Sequence, residues 1–279
     1  MNDHEQKSIP PANQDWNLIR LGLVILVIFA GILLGSSMAA IISAIYQKLS
    51  GVVLSKDQTL FLFATVVQIF SVGFLFLYLS QTKDIPVIFR LPHSIKEKIR
   101  LTLFCIFGMI LCIPVVGLFS YLNLSLGKYL RANSHFMQFV NTQVNGMTPF
   151  SFLEPKNEKQ PIVQALLNTD STIAILVMSF LAIVLAPLLE EIVFRGFMYQ
   201  CLRKYIGRVF AAIITAFLFA MVHPNPVMTL FPLMFLGLMF VVAYEKSGTL
   251  VAPMVMHGTF NATSIILMLL LPPNYADKL

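Results

Sequence analysis

The stretch Ala186-Pro187-Leu188-Leu189-Glu190-Glu191-Ile192-Val193-Phe194-Arg195-Gly196 sets two carboxylates and a guanidinium inside an otherwise apolar run. An ionisable residue at the middle of a membrane helix costs about 2.5–3.5 kcal/mol on insertion scales, so such residues are functional candidates by default. Neighbouring helical residues differ by about 100° around the axis, so Glu190 and Glu191 face different ways and hold different jobs. Glu191 and Arg195 stand at i and i+4, the spacing of an ion pair that neutralises both. Glu190 is then left to point elsewhere. A carboxyl in an apolar, partly dehydrated setting suits a general base that holds and releases a proton near neutral pH. The same three charges also suit a buried cluster that only locks helices together.

His223 ends the next apolar run, Phe219-Ala220-Met221-Val222-His223-Pro224. Taken alone it reads as a hydrogen-bonded structural residue near a membrane edge. Its position changes that reading. Arg203, Lys204 and Arg208 mark a turn beside Gly207, midway between Glu190 and His223. If the two helices form an antiparallel hairpin there, both residues reach roughly 25 Å from the turn at ~1.5 Å per residue. His257 and Asn261, four apart on the last apolar run, share one helical face. They are candidate donors to a developing oxyanion, with interhelical hydrogen bonding as the plainer role. Measured from Gly248, His257 lies only about 14 Å deep at helical rise, so tilt or a break near Pro253 must close the gap to His223. One carboxylate and two histidines, Glu190, His223 and His257, are also the ligand types of a catalytic zinc site, although the helical HExxH arrangement is absent. A glutamate and a histidine could instead activate water directly.

The elements that must carry these residues follow from composition. Of 279 residues, 57% are hydrophobic and 11% charged, against about 25% charged in a typical soluble chain. This excludes a water-soluble surface and implies an all-α, polytopic transmembrane helix bundle of about seven spans (six to eight) at roughly 20 residues each. The spans are read at Leu18–Tyr46, Leu60–Leu79, Leu101–Leu124, Thr172–Tyr205, Val209–Val222, Val227–Tyr244 and Leu250–Leu271. Gly22, Gly31 and Gly35, with Ser36 and Ser37, would allow close helix approach in the first. The excess of Lys and Arg falls in short loops between apolar runs, where it sets orientation, so nucleic acid is not an expected partner. The side with more of them places the amino terminus in the cytosol. Cys105, Cys112 and Cys201 have neither metal-knuckle nor redox spacing and are read as small packing or membrane-facing residues.

The domains expected are a cytosolic tail (1–16), the first transmembrane helices (17–126), a polar or interfacial loop (127–170), a catalytic transmembrane core (171–271) and a short tail (272–279). The amino-terminal tail lacks the basic start and apolar core of a cleaved signal. In the polar loop, Phe136, Phe139, Val140 and Val144 fall at helical spacing, which suits either an interfacial amphipathic helix or a plain connector.

Glu190-Glu191-x-x-x-Arg195, Phe219-x-x-x-His223 and His257-x-x-x-Asn261, in that order on successive apolar helices, resemble the three-motif signature of the CPBP family. That family comprises type II CAAX prenyl endopeptidases and bacterial bacteriocin-processing or immunity membrane proteases, also called Abi proteins. The likeness covers about Thr172 to Leu271. It implies an intramembrane endopeptidase, generally called a metalloprotease, although a metal-free glutamate mechanism has been argued for the prenyl enzymes; Zn2+ is the cofactor to test. By the resemblance, Glu190 activates water with His223 as its partner, His257 and Asn261 stabilise the oxyanion, and Glu191 with Arg195 holds the helix. Expected partners are the lipid bilayer and a peptide, prenylated or membrane-protein substrate. The short tail and modest size suit a bacterial plasma-membrane member. The rival readings are an ion- or proton-coupled transporter using Glu190, Glu191 and Arg195 as a pathway, against which no internal repeat is found, and a non-catalytic immunity or scaffold protein.

Overall fold

The computed structural model describes residues 17–82, 94–132, 169, 171–223 and 226–270. All regular structure among them is helical, as the composition requires. α1 (Leu18–Ser50) and α2 (Lys56–Thr82) form the first hairpin, and α3 (Ile95–Ala132) follows. A long broken helix comes next: α4 (Thr172–Phe180), a π-helical segment π1 (Leu181–Leu185), α5 (Ala186–Glu191), a second π-helical segment π2 (Ile192–Tyr199) and α6 (Gln200–Met221). α7 (Pro226–Ser247) and α8 (Val251–Leu270) complete the bundle. The expected amphipathic helix around Phe136–Val144 lies outside the described residues.

Among the described residues, six helices are long and apolar enough to cross a membrane. One of them, Thr172–Met221, has 50 residues, which at ~1.5 Å each is more than twice the ~30 Å hydrocarbon core. Gly207 resolves this. Its φ of 78° and ψ of 173° are not helical and break the run, a conformation that glycine adopts without a Cβ penalty. The chain turns there and α6 returns alongside π2, with the rings of Phe194 and Phe219 5.3 Å apart. Seven apolar segments therefore result, with the turn where the basic residues marked it.

Burial is confined to the helix interfaces. In the most apolar window of α1 only 17% of residues are buried, and side chains such as Phe29, Phe107 and Leu111 point outward. Such apolar exteriors are stable only against lipid; the protein is multi-pass. α1 and α2 pack backbone to backbone. A Cβ at Gly31 would lie 2.7 Å from Ser71 Cα, and one at Gly35 2.7 Å from Val67 Cα. Gly22, by contrast, has open space around it. The three cysteines are buried free thiols, so of the two roles read from sequence they take the packing one.

π2 sits between two cores. Ile192, Phe197 and Tyr199 pack with Val24, Leu75 and Leu79 of the first hairpin. Phe194 packs with Met109, Phe219, Phe240 and Met256 from α3, α6, α7 and α8. α5, with both glutamates, is thus held in the middle of the bundle. α8 runs unbroken through Pro253, which occupies the first turn where the missing N–H has no intrahelical partner to lose. Of the two expected ways for His257 to reach the level of His223, tilt or a break near Pro253, the break is therefore not found.

Candidate active site

Pro187 governs the local backbone around the glutamates. It carries no N–H, so a regular ladder through it leaves a carbonyl one turn earlier without a donor. The chain responds by widening into π1, in which Ala186 N–H donates to Leu181 O. Single π turns inside α-helices are rare and recur at functional sites. Asn261 Nδ2 of α8 donates to Ala182 O at 2.7 Å. A Cβ at Gly258 would stand 2.7 Å from Ile183 O, so glycine alone lets α8 approach this closely.

α5 then presents its two carboxylates in different directions. Glu191 is wholly buried and accepts a hydrogen bond from Arg195 Nη1 at 3.1 Å, on the next turn. Arg195 is wholly buried too. Its Nη2 donates to Gly237 O at 3.1 Å, and its guanidinium lies 4.6 Å and 5.0 Å from the ring centres of Phe219 and Phe240. Gly237 permits that reach: a Cβ there would meet Ala216 Cα at 3.0 Å. A carboxylate, a carbonyl and aromatic faces together offset the desolvation of one cation.

Glu191 Oε1 also accepts from His257 Nδ1 at 2.9 Å. This bond fixes the ring with Nε2 turned the other way, toward Glu190, whose Oε2 is 3.9 Å distant. The His257 ring is stacked on Phe240, with centroids 4.9 Å apart and planes 19° from parallel. His223 is fixed in the same manner from the opposite side. Its Nδ1 lies 2.6 Å from Phe219 O; a carbonyl only accepts, so Nδ1 carries the hydrogen. Its Nε2 faces Glu190 Oε2 at 3.8 Å. The structure thus brings Glu190, Glu191, Arg195, His223 and His257 into one cluster, while the amide nitrogen of Asn261 is engaged with the π1 backbone.

Glu190 Oε2 is buried and makes no hydrogen bond among the described residues. Two imidazole nitrogens converge on it, each a lone pair in the neutral ring and a second donor in the imidazolium. Separations of 3.8 Å and 3.9 Å exceed a direct hydrogen bond and are the range in which a water between the groups is to be considered. Water held between a carboxylate and an imidazole gives up one proton and presents a lone pair, which is what a hydrolytic nucleophile needs.

The donor types also suit zinc, but the spacing does not. Among the described residues no group of three His, Cys, Asp or Glu is placed to hold a metal ion. Ligands at about 2.0 Å in a tetrahedron lie about 3.3 Å from one another, and the two edges here are 3.8 Å and 3.9 Å. The residues as arranged do not fit the ion.

Three structural participants have little sequence signal. Phe240 and Gly237 of α7 look like ordinary span residues. Glu245, charged at the end of a span, receives Tyr199 Oη at 2.7 Å and Arg203 Nη1 at 2.8 Å. These bonds tie the end of π2 and the start of α6 to α7. A charge beside an apolar run, with arginines at the neighbouring loop, is the only clue to that last pairing.

Fold and site together define a class: a multi-pass helical membrane protein with a carboxylate–histidine cluster built from α5, the end of α6 and α8. Residues 172–263 match the family model described as type II CAAX prenyl endopeptidase Rce1-like. The match covers about a third of the chain and includes Glu190, Glu191, Arg195, His223, His257 and Asn261. Over this segment the expected likeness to the CPBP and CAAX proteases is borne out. No curated protein and no solved structure gives a significant match.

Proposed function

We propose that this protein is an intramembrane endopeptidase that hydrolyses a peptide bond with a water activated by Glu190 and His223. The observation that carries the reading is the convergence of His223 Nε2 and His257 Nε2 on Glu190 Oε2, which makes no hydrogen bond among the described residues. The Rce1-like match over the same residues supports protease chemistry of the CAAX type.

In this reading a water donates to Glu190 Oε2 and to His223 Nε2. Glu190 takes its proton as the oxygen attacks the scissile carbonyl carbon, and the C=O pair moves to oxygen. His257 faces that oxyanion as an imidazolium through Nε2, with Glu191 supplying the counter-charge as the buried aspartate does in a catalytic triad. Collapse restores C=O, breaks the C–N bond and sends the proton held by Glu190 to the leaving amine. Asn261 has a second amide hydrogen for the oxyanion besides the one given to Ala182 O. Arg195 holds Glu191 in place. The substrate class is a peptide, prenylated or membrane-protein precursor reaching the site from the bilayer, with the amino terminus of the enzyme in the cytosol.

The test is cleavage of a CAAX-type prenylated peptide and of a panel of membrane-peptide precursors in liposomes. Wild type is compared with Glu190→Ala and His223→Ala, each with and without chelator. Loss of cleavage in both variants is expected; wild-type turnover by either would overturn the assignment. Inhibition by chelator that zinc reverses would replace the direct water mechanism by one with a metal.

A further inference from the structure

Three consecutive carbonyls of π1 are each met from outside their own helix. Ala182 O and Ile183 O face Asn261 and Gly258 of α8. Leu181 O, which already takes the Ala186 N–H, accepts a second hydrogen bond from Gln68 Nε2 at 3.2 Å. Gln68 lies on α2, well outside the segment that matches the protease family. The neighbouring hydroxyls Thr65 and Ser71 on the same helix bond instead to backbone carbonyls of that helix.

We propose that Gln68 is a positioning residue that holds π1 open and so sets the direction in which Glu190 points. The inference rests on Glu190 being the reactive carboxylate of the proposed protease. The physical basis is helical register. A π turn accommodates one extra residue in a helix, and each residue of an α-helix turns the chain by about 100°. If π1 tightened to α geometry, everything after it would rotate by about one residue relative to α4, and Leu189 would take the bearing that Glu190 now holds. A backbone carbonyl has two lone pairs, and Leu181 O, as the widened turn places it, gives one to Ala186 N–H and the other to Gln68 Nε2. Gln68 therefore bonds to the wide form and biases the backbone toward it from the α2 side, while Asn261 and Gly258 clamp the next two carbonyls from α8. The two sides act on the same turn, and Pro187, which has no N–H to give a regular ladder, lowers the cost of the widened form without fixing it.

The test combines a distance with kinetics, so that it does not depend on protease activity alone. Gln68→Met keeps the side-chain size and removes the donor; Gln68→Asn keeps the donor and is too short to reach, and it serves if Gln68→Met fails to fold. Thr65→Val is the control on the same helix. Each is placed in a chain carrying Glu190→Cys and His223→Cys, in proteoliposomes, and the pair is bridged with a short bifunctional thiol reagent. The native thiols are buried, and a chain without the introduced pair gives their background. The expected result is a bridging yield at least about threefold lower in either Gln68 variant and unchanged in Thr65→Val. In the otherwise native chain kcat falls about tenfold, the scale of one hydrogen bond and its reorganisation, while KM stays within about twofold. Equal bridging yields in Gln68 and Gln68→Met chains, or an unchanged kcat beside an altered melting temperature, overturn the proposal. A bridging yield that falls in a protein whose wild type cleaves nothing supports the positioning role and overturns the protease reading instead.

Discussion

The buried Glu191–Arg195 pair makes a prediction in which stability and activity separate. Both side chains are wholly buried, 3.1 Å apart. Glu191→Gln leaves Arg195 with one carbonyl and aromatic faces; Arg195→Met leaves Glu191 with His257 alone. Breaking a buried pair by removing one partner costs about 3–5 kcal/mol. The carbonyl and ring contacts of the guanidinium are present in both chains and leave that figure unchanged, so about 3–5 kcal/mol is expected for Glu191→Gln. Removing both charges together, Glu191→Gln with Arg195→Met, removes the unpaired ion, and its cost should fall well below the sum of the single variants, to about 1 kcal/mol. Activity should not recover with stability. Without the carboxylate, His257 Nδ1 loses the charged acceptor that orients its ring and balances the imidazolium, and kcat should fall about 100-fold or more in both chains with glutamine at 191. Reversible unfolding in mixed micelles gives the stabilities, and liposome cleavage the rates. Additive losses in the double variant, or a double variant with full cleavage, would refute the reasoning.

Other perturbations act at defined atoms. Gly258→Ala drives a Cβ to 2.7 Å from the Ile183 carbonyl, a backbone atom that cannot rotate away; a loss of about 1–3 kcal/mol in micelle unfolding is expected, with a lower kcat in the folded fraction. Gly35→Ala creates the same distance to Val67 Cα, far from the cluster, and should cost a similar amount while leaving turnover per folded molecule within about twofold. Glu245→Gln weakens the Tyr199 and Arg203 bonds at a partly exposed site, so a change of about 1 kcal/mol or less is expected in the unfolding midpoint.

The sequence pattern already located the helices and the chemical residues, because apolar runs and intramembrane charges are strong local signals. The division of labour between Glu190 and Glu191 follows from their adjacency alone, and the structure turns them as that geometry demands. Gly207 was legible as a turn from the basic residues around it. What was hidden is long-range. Nothing near Gln68 says that its amide will reach a carbonyl on another helix, and propensity alone would continue an α-helix through both π segments, of which only π1 has a proline, Pro187, beside it. Asn261 stands on the face shared with His257, as its spacing requires, yet its amide nitrogen is aimed at Ala182 O; a spacing rule gives a face but not an acceptor. Phe240 stacks on His257 from an apolar stretch of α7 with no polar neighbour in sequence to mark it. The depth difference between His257 and His223 was a real feature of helical arithmetic, and the bundle accommodates it without a break at Pro253.

The central claim is that Glu190 is the base that activates water. Glu190→Gln is nearly isosteric and its side chain is only partly buried, so the unfolding midpoint should move by less than about 1 kcal/mol while single-turnover cleavage in liposomes falls by about 10²–10⁴, the range of general-base catalysis. Cleavage by Glu190→Gln at the wild-type rate in a stably folded protein would contradict it.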